Sequence, residues 1–146
     1  VYGMRLNNGC TIKIMRELIK VDYKTLNARQ KENYNFHKVA SALAEYGYNS
    51  MRLNDDWQGA DFIAIKGDEM IKVQLKGRFT IDKKYLGKEI YIAFIENEVM
   101  KIYDHDEVVN SLTGSILETE SWKVNGNYSW PKTPNAYSDV ITVLYV

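Results

Sequence analysis

The chain has 146 residues, long enough for one domain with a buried core, and its 45% hydrophobic and 26% charged residues are typical of a globular protein. Its formal net charge is zero, so the overall charge gives no support for a polyanionic partner. Its single cysteine, Cys10, excludes an internal disulfide, and no stretch approaches the roughly 18 apolar residues of a membrane span.

From these numbers we expect a cytoplasmic protein that does not enter a membrane, with Cys10 as a buried thiol. We find no internal repeat and no domain boundary. We therefore treat residues 1–146 as a single domain, with a core at about 29–112, a helical N-terminal extension over 1–26 and a C-terminal loop and strand over 113–146.

Two helical patterns open the chain. A weak one places Ile12, Met15, Leu18 and Ile19 on one face. The second predicts a helix from Ala28 to Tyr46. Asn27 and Gln30 have the spacing of an N-terminal capping box, and Gly47 lies where a helix commonly ends. The apolar face of this helix consists of Phe36, Val39, Ala40 and Leu43.

Strand patterns dominate the next part of the chain. A short strand over 48–54 and a polar loop over 55–59 precede a hairpin from Asp61 to Lys76. A second hairpin over 88–104 turns at Glu96 and Asn97, a short helix covers 105–112, and a strand covers 139–146. This order predicts an α/β (α+β) fold with a mixed, mostly antiparallel sheet flanked by helices.

The first hairpin brings polar side chains together. Gly67 and Asp68 form a typical two-residue turn, and pairing outward from it sets Asp61 opposite Gln74, with Cβ atoms about 4.5–5.5 Å apart. Lys76 points to the same face as Gln74, because side chains alternate along a strand. The other face, expected to pack on the core, consists of Phe62, Ala64, Ile71, Val73 and Leu75.

A carboxylate, an amide oxygen and an ammonium group at one sheet end suit metal-assisted phosphodiester hydrolysis. Carboxylate and amide oxygens bind hard cations such as Mg²⁺, and a lysine can assist a water or a phosphate. The alternative is a plain ion pair between Asp61 and Lys76. From Lys72 to Lys88 there are six basic residues and one acid, Asp82, which suits a polyanion but is also typical of a solvated face.

The motif of Asp61 followed by Gln74-x-Lys76, after a helix that carries an acid, resembles the PD-(D/E)XK nuclease superfamily. The likeness extends over about residues 29–112 and is greatest to its small branch of intron-encoded homing endonucleases and junction-resolvase-like nucleases. In place of the family's proline before the motif Asp stands Ala60, and Gln74 replaces the second acid.

The resemblance implies a restriction-endonuclease-like core and a Mg²⁺-dependent DNA endonuclease in which Mn²⁺ can substitute. By this resemblance Asp61, Gln74, the Leu75 carbonyl and Glu32 hold the metal. Lys76 lies beside the attacking water. Glu32 also has a simpler explanation, since acids are favoured near a helix start. Asp55 and Asp56 are weaker candidates for the motif Asp.

For DNA, which we expect to be double-stranded, we predict contacts from residues near the site: Arg78, Lys83, Lys84 and Gln58. We expect Trp57, Trp122 and Trp130 to pack in the core or loops; the alternative for Trp57 is that it reaches a groove of the DNA together with Gln58. His37 and His105 lack partners at zinc-ligand spacing and are interpreted as structural.

Three alternatives remain: a catalytically degenerate DNA-binding or assembly module of this fold, a protein-interaction domain, and a nuclease for RNA or branched DNA. Cleavage of both strands needs two sites, so a homodimer or larger homo-oligomer is expected. The segments 88–95 and 139–146 are its candidate interface edges.

Overall fold

The structure is a computed structural model that describes residues 3–5, 11–13 and 18–146, the first two ranges by their backbone alone. Cys10 and Met15 lie outside the described residues. The chain divides into two compact units, Val1–Lys31 and Glu32–Val146. None of the helices in the described ranges is long and apolar enough to cross a membrane.

The first unit contains a short antiparallel pair, β1 (Gly3–Arg5) and β2 (Thr11–Lys13), then a 3₁₀ turn (Tyr23–Thr25) and the beginning of helix α1 (Ala28–Ala44). The predicted capping box is confirmed. The Asn27 N–H donates to the Gln30 side chain and the Gln30 N–H to the Asn27 side chain, each at 2.9 Å. The predicted upstream helix is wrong at Ile12, because that residue pairs with Met4 in β2.

The second unit is built on a six-stranded sheet in the order β10-β8-β7-β5-β4-β3. All neighbours are antiparallel except β5 and β7, which are parallel, so the predicted mixed, mostly antiparallel α+β fold is confirmed. The strands are β3 (Asn49–Trp57), β4 (Ala60–Lys66), β5 (Glu69–Leu75), β7 (Ile90–Glu96), β8 (Val99–Asp104) and β10 (Thr142–Leu144). A separate pair consists of β6 (Thr80–Asp82) and β9 (Asn127–Ser129).

Each face of the large sheet carries its own core. On one face α1 packs Val39, Ala42 and Leu43 against β4, β5, β7, β8 and β10. Phe62, Ala64 and Val73 lie there fully buried, as the alternation predicted. The opposite face is covered over β7 and β8 by α2 (His105–Ser111), α3 (Ser115–Glu118) and a π-helical turn (Ser121–Asn125). This second core consists largely of aromatic residues: Phe79, Tyr85, Phe94, Tyr103, Trp122 and Trp130.

Several predicted boundaries move. Residues 55–57 continue β3 instead of forming a loop, and the β3–β4 turn is the pair Gln58–Gly59, with Trp57 opposite Ala60. The second hairpin turns at Asn97 and Glu98, one residue later than predicted. Segment 88–95 was wrongly predicted as an edge, because β7 lies between β5 and β8. Residues 142–144 do form an edge strand.

Gly59 has a backbone φ of +86°, and a Cβ added there would lie 3.0 Å from Tyr85 Cε1 and 3.2 Å from Ile90 Cδ1. We expect Gly59→Ala to lower the free energy of unfolding by about 2–4 kcal/mol, since a left-handed backbone and crowding of the core both penalise the methyl group. Gly67→Ala is the matched control. Its φ is +59° with open space around it, so only the backbone penalty of about 1 kcal/mol applies. Equal losses in urea titrations would contradict the packing of this turn on Tyr85.

Candidate active site

Strands β4 and β5 part at the end that carries the polar motif. Their recorded backbone pairing ends at Phe62 and Val73, in the predicted register, which sets Asp61 opposite Gln74 as the next pair. Beyond that point a side chain takes the place of the neighbouring strand. The Leu75 N–H donates to Asp61 Oδ2 at 2.8 Å. On its other side β5 remains paired with β7 through Leu75, and the Lys76 N–H then donates to the Ala93 carbonyl at 2.9 Å.

The backbone of Leu75, itself a predicted metal ligand, therefore contacts the predicted ligands Asp61 and Gln74. Its N–H is bound by the Asp61 carboxylate, and its carbonyl accepts from Gln74 Nε2 at 3.1 Å. Asp61, Gln74 and Leu75 are all half-buried. This leaves the Gln74 Oε1 atom and the second Asp61 oxygen without a hydrogen bond to the described residues.

Lys76 and Lys84 meet at the ring of Tyr85. Their ammonium nitrogens lie 5.3 Å and 5.0 Å from the centre of that ring, distances at which a cation is attracted to an aromatic face. The ring itself is only 3% exposed and belongs to the aromatic core. Lys84 Nζ also lies 3.7 Å from Asp82 Oδ2. Tyr85 thus offers a fixed surface beside which both ammonium groups are held.

Helix α1 contacts this end of the sheet through an aromatic pair. Phe36 of α1 packs edge-on against Phe62, the residue that follows Asp61 in β4, with ring centres 5.1 Å apart. Arg52, opposite Phe62 in β3, donates a hydrogen bond to Asn33 and lies 5.3 Å from the Phe36 ring centre. Glu32, one helical turn before Phe36, is exposed.

The electrostatics of Asp61 reflect these neighbours. Burial raises the pKa of the Asp61 carboxyl above its ordinary value, and the charge of Glu32 raises it further. The Leu75 hydrogen bond and the charges of Lys76 and Arg52 oppose this but do not cancel it. Asp61 is thus a partly desolvated carboxyl whose ionised form is only partly compensated by the positive charges of Lys76 and Arg52.

The donor set fits one hard divalent cation. The candidates are oxygen atoms: the Asp61 carboxylate, the Leu75 carbonyl and the Gln74 amide, with the Glu32 carboxylate acting on the same site through its charge. A cation would offset the part of the Asp61 charge that Lys76 and Arg52 leave uncompensated. Within residues 18–146, no three His, Cys, Asp or Glu side chains group as metal ligands, so this site has fewer acids than a carboxylate cluster.

The predicted DNA-contacting residues occupy three places. Arg78 is exposed just after β5. Lys83 and Lys84 lie in the 3₁₀ turn Lys83–Tyr85, and Lys83 Nζ lies 5.2 Å from the Trp122 ring centre. Gln58 lies in the β3–β4 turn, where its Oε1 accepts from Lys72 Nζ at 2.7 Å.

Other candidates are engaged elsewhere. His105 is fully buried, and its Nε2 accepts from the Asp82 N–H at 3.0 Å. Burial lowers the His105 pKa. The exposed His37 lies beside Phe36, with ring centres 5.2 Å apart.

Asp56 accepts from the Gly59 N–H at 2.8 Å within its turn, and Asp55 is exposed on β3. Trp122 and Trp130 are 7% exposed, as expected, but Trp57 is 43% exposed.

Sequence reasoning missed Tyr85 and Arg52. Tyr85 directly follows two lysines in the basic stretch, and an aromatic residue among lysines is a signal that could have suggested it. Arg52 carries no local signal, because its contacts with Asn33 and Phe36 exist only once α1 lies on the sheet.

Among known proteins, the chain is similar to solved structures but matches neither a family model nor a curated protein. No protein-family model matches the sequence, and no curated protein matches it significantly. Among solved structures, the chain is similar to a bacterial homing endonuclease, I-Ssp6803I (TM-score 0.48, 11% identity, 76% of this chain and 84% of that chain covered). It is also similar to Hjc, a Holliday junction resolvase of Archaeoglobus fulgidus (TM-score 0.44, 12% identity, 58% and 78% covered).

Asp61→Asn tests the electrostatics of the site. Because the folded protein binds the Asp61 proton more tightly than the unfolded chain, stability falls as pH rises through the window between the ordinary and the raised pKa. The asparagine keeps an oxygen for the Leu75 N–H and carries no charge. In EDTA we expect the variant to unfold at a higher temperature than the parent at pH 7, and the difference to shrink toward about pH 4.

The matched control is Asp68→Asn, which removes the same charge at the exposed Gly67–Asp68 turn of the same hairpin. It should change the unfolding temperature little at either pH. A lower unfolding temperature for Asp61→Asn at pH 7 would show that the ionised carboxylate stabilises the fold, against this interpretation.

Proposed function

We propose that this chain is a metal-dependent endonuclease that hydrolyses phosphodiester bonds in DNA. The observation that carries the proposal is the convergence of the Asp61 and Gln74 side chains on the backbone N–H and carbonyl of Leu75, with Lys76 directly after β5. This is the arrangement expected from the PD-(D/E)XK resemblance, and the α+β core with an acid on its first helix is compatible with it.

Asp61, the Leu75 carbonyl and Gln74 Oε1 would hold Mg²⁺, or Mn²⁺ in its place, with Glu32 orienting a water beside it. A bound divalent cation lowers the pKa of its water and offsets the charge that develops on the phosphate. The protein's own groups do the rest. The Leu75 N–H fixes the Asp61 carboxylate, and Lys76, steadied by the Tyr85 ring, places its ammonium group beside the attacked phosphate.

The substrate we propose is double-stranded DNA. The stretch from Lys72 to Lys88 carries a local excess of five positive charges (six basic residues less one acid), although the chain as a whole is neutral. Arg78, Lys83, Lys84 and Gln58 would contact the DNA, mainly its phosphates, which position a strand without reading its sequence. Cleavage of both strands would then need two copies of the chain.

One observation favours a second candidate, a DNA-binding module whose site has lost its chemistry. The Gln74 amide group donates to the Leu75 carbonyl, one of the oxygens proposed to bind metal. In such a module Gln74 would complete the hydrogen bonding of the strand end, and DNA binding would not depend on Mg²⁺.

Cleavage of supercoiled plasmid tests the proposal. With Mg²⁺ or Mn²⁺ we expect nicked and linear products, and with EDTA none. Lys76→Ala should slow cleavage by about 10²–10³-fold, the usual loss when one group that stabilises the transition-state charge is removed. Lys66→Ala is the control, because Lys66 is an exposed lysine at the opposite end of β4, about 16 Å along the strand from Asp61. It should cleave at nearly the parent rate.

Cleavage that survives EDTA would contradict the metal site, and cleavage by Lys76→Ala at the parent rate would contradict its role. DNA bound equally with and without Mg²⁺, but never cut, would favour the degenerate module.

Gln74→Glu tests whether position 74 faces the metal. An added carboxylate should lower the dissociation constant for Mn²⁺ about tenfold, because affinity in oxygen-ligand sites rises with ligand charge. Asn49→Asp makes the same amide-to-carboxylate change at an exposed position opposite Ile65, toward the other end of β4 from Asp61, and should leave it unchanged. Titration calorimetry of Mn²⁺ measures both. Equal affinity for Gln74→Glu and the parent would exclude residue 74 from the metal.

A further inference from the structure

Trp57 is an exposed indole beside the proposed active site. It is 43% exposed, whereas Trp122 and Trp130 are 7% exposed in the aromatic core. A large aromatic side chain that folding leaves in contact with water is a typical binding element when its position is fixed. The backbone of Trp57 pairs with Ala60 across the β3–β4 turn.

Several contacts position the β3–β4 turn that follows Trp57. Trp57 pairs with Ala60, and between them Gln58 and Gly59 have φ values of +54° and +86°. The Asp56 carboxylate accepts from the Gly59 N–H at 2.8 Å. The Gly59 backbone lies so close to Tyr85 that a single added carbon would be 3.0 Å from that ring. The turn is thus anchored on the residue that also contacts Lys76.

A cation and an amide accompany the indole. Lys72 Nζ lies 5.7 Å from the Trp57 ring centre and donates to Gln58 Oε1 at 2.7 Å. Lys72 is two residues before Gln74 on β5, so the two side chains leave the same face of the sheet about 7 Å apart. The cluster of Trp57, Gln58 and Lys72 therefore borders the proposed site directly.

We propose that Trp57 is a stacking platform for an unpaired nucleobase of the DNA strand that is cut, with Lys72 on its adjoining phosphate. This inference rests on the proposed function and adds to it a preference for DNA with a base out of the helix. An indole can stack on any base, which is worth about 1–3 kcal/mol per base, whereas bases inside a duplex already stack on each other.

The neighbours of Trp57 favour a nucleic acid over a protein partner. A protein-binding patch would surround an exposed indole with apolar residues, whereas here the Lys72 ammonium group lies 5.7 Å from the ring centre and donates to Gln58. Asp55 and Asp56 precede it on β3 and disfavour a phosphate on that side. The strand backbone is therefore placed on the Lys72 side, toward Gln74 and Lys76.

Fluorescence anisotropy in EDTA, where no cleavage occurs, tests the proposal with three labelled probes: a 20-nucleotide single strand, its duplex, and that duplex with a two-nucleotide bulge. Trp57→Ala should weaken binding of the single strand and the bulged duplex about 5- to 150-fold, and binding of the perfect duplex much less. Trp57→Phe should keep most of the affinity. Met51→Ala is the control, since Met51 is another exposed apolar side chain of β3.

A second readout is the tryptophan fluorescence itself. The single strand should quench the emission of the parent protein and not that of Trp57→Phe, while the two buried tryptophans report that each variant is folded. The stacking role would be overturned if Trp57→Ala bound all three probes as tightly as the parent does, or if it weakened binding of all three by the same factor. So would a dimer of the parent that Trp57→Ala dissociates, since Trp57 would then belong to an interface between copies.

Failure of this inference differs from failure of the proposed function. If the parent cleaves plasmid and Lys76→Ala does not, while Trp57→Ala binds every probe as the parent does, only the stacking role is wrong. If the parent binds none of the probes and cleaves nothing, both are wrong.

Discussion

One hydrogen bond, from the Leu75 N–H to the Asp61 carboxylate, holds together the end of the sheet on which the proposed chemistry depends. Strand β5 is paired on both sides at Lys72 and Val73 and then loses β4 as a backbone partner, while its pairing with β7 continues to Leu75. A backbone N–H that is half-buried there needs an acceptor, and Asp61 supplies it. Where the two strands part, the Leu75 carbonyl accepts from the Gln74 side chain, so both polar side chains are brought to the backbone of this one residue.

The same arrangement lowers the stability of the folded protein where it places the charge that the proposed chemistry needs. A carboxyl group kept out of water beside another acid has a raised pKa, which means that its charged form is disfavoured in the folded state. Such unfavourable electrostatics are typical of sites that await a cation or a reacting group. The lysines are arranged in the complementary way. Lys76 and Lys84 are held on the face of one buried tyrosine, so a chain with no net charge has a concentrated positive region beside a carboxylate.

The features that could be predicted from the sequence are those that depend on near neighbours in the chain. The Gly67–Asp68 turn determined the register that sets Asp61 opposite Gln74, and Asn27 with Gln30 marked the start of α1. The features that escaped prediction depend on distant contacts. Three contacts join segments whose spacing carries no periodic signal. They are the parallel pairing of β5 with β7, the approach of Tyr85 to Lys76 and the hydrogen bond from Arg52 to Asn33 of α1. The β3–β4 turn escaped for another reason, because a glutamine stands at a positive φ where glycine or asparagine is usual.

The irregularity of β3 has a consequence for how the protein behaves at high concentration. β3 is an outer strand of the sheet, and its pairing with β4 is interrupted between Arg52 and Trp57. A regular outer strand can recruit strands of other molecules and so begin aggregation, whereas a bulged one presents its N–H and C=O groups out of step with any incoming strand. The bulge that accompanies the outward turn of Trp57 therefore also protects this side of the sheet against growth into fibrils.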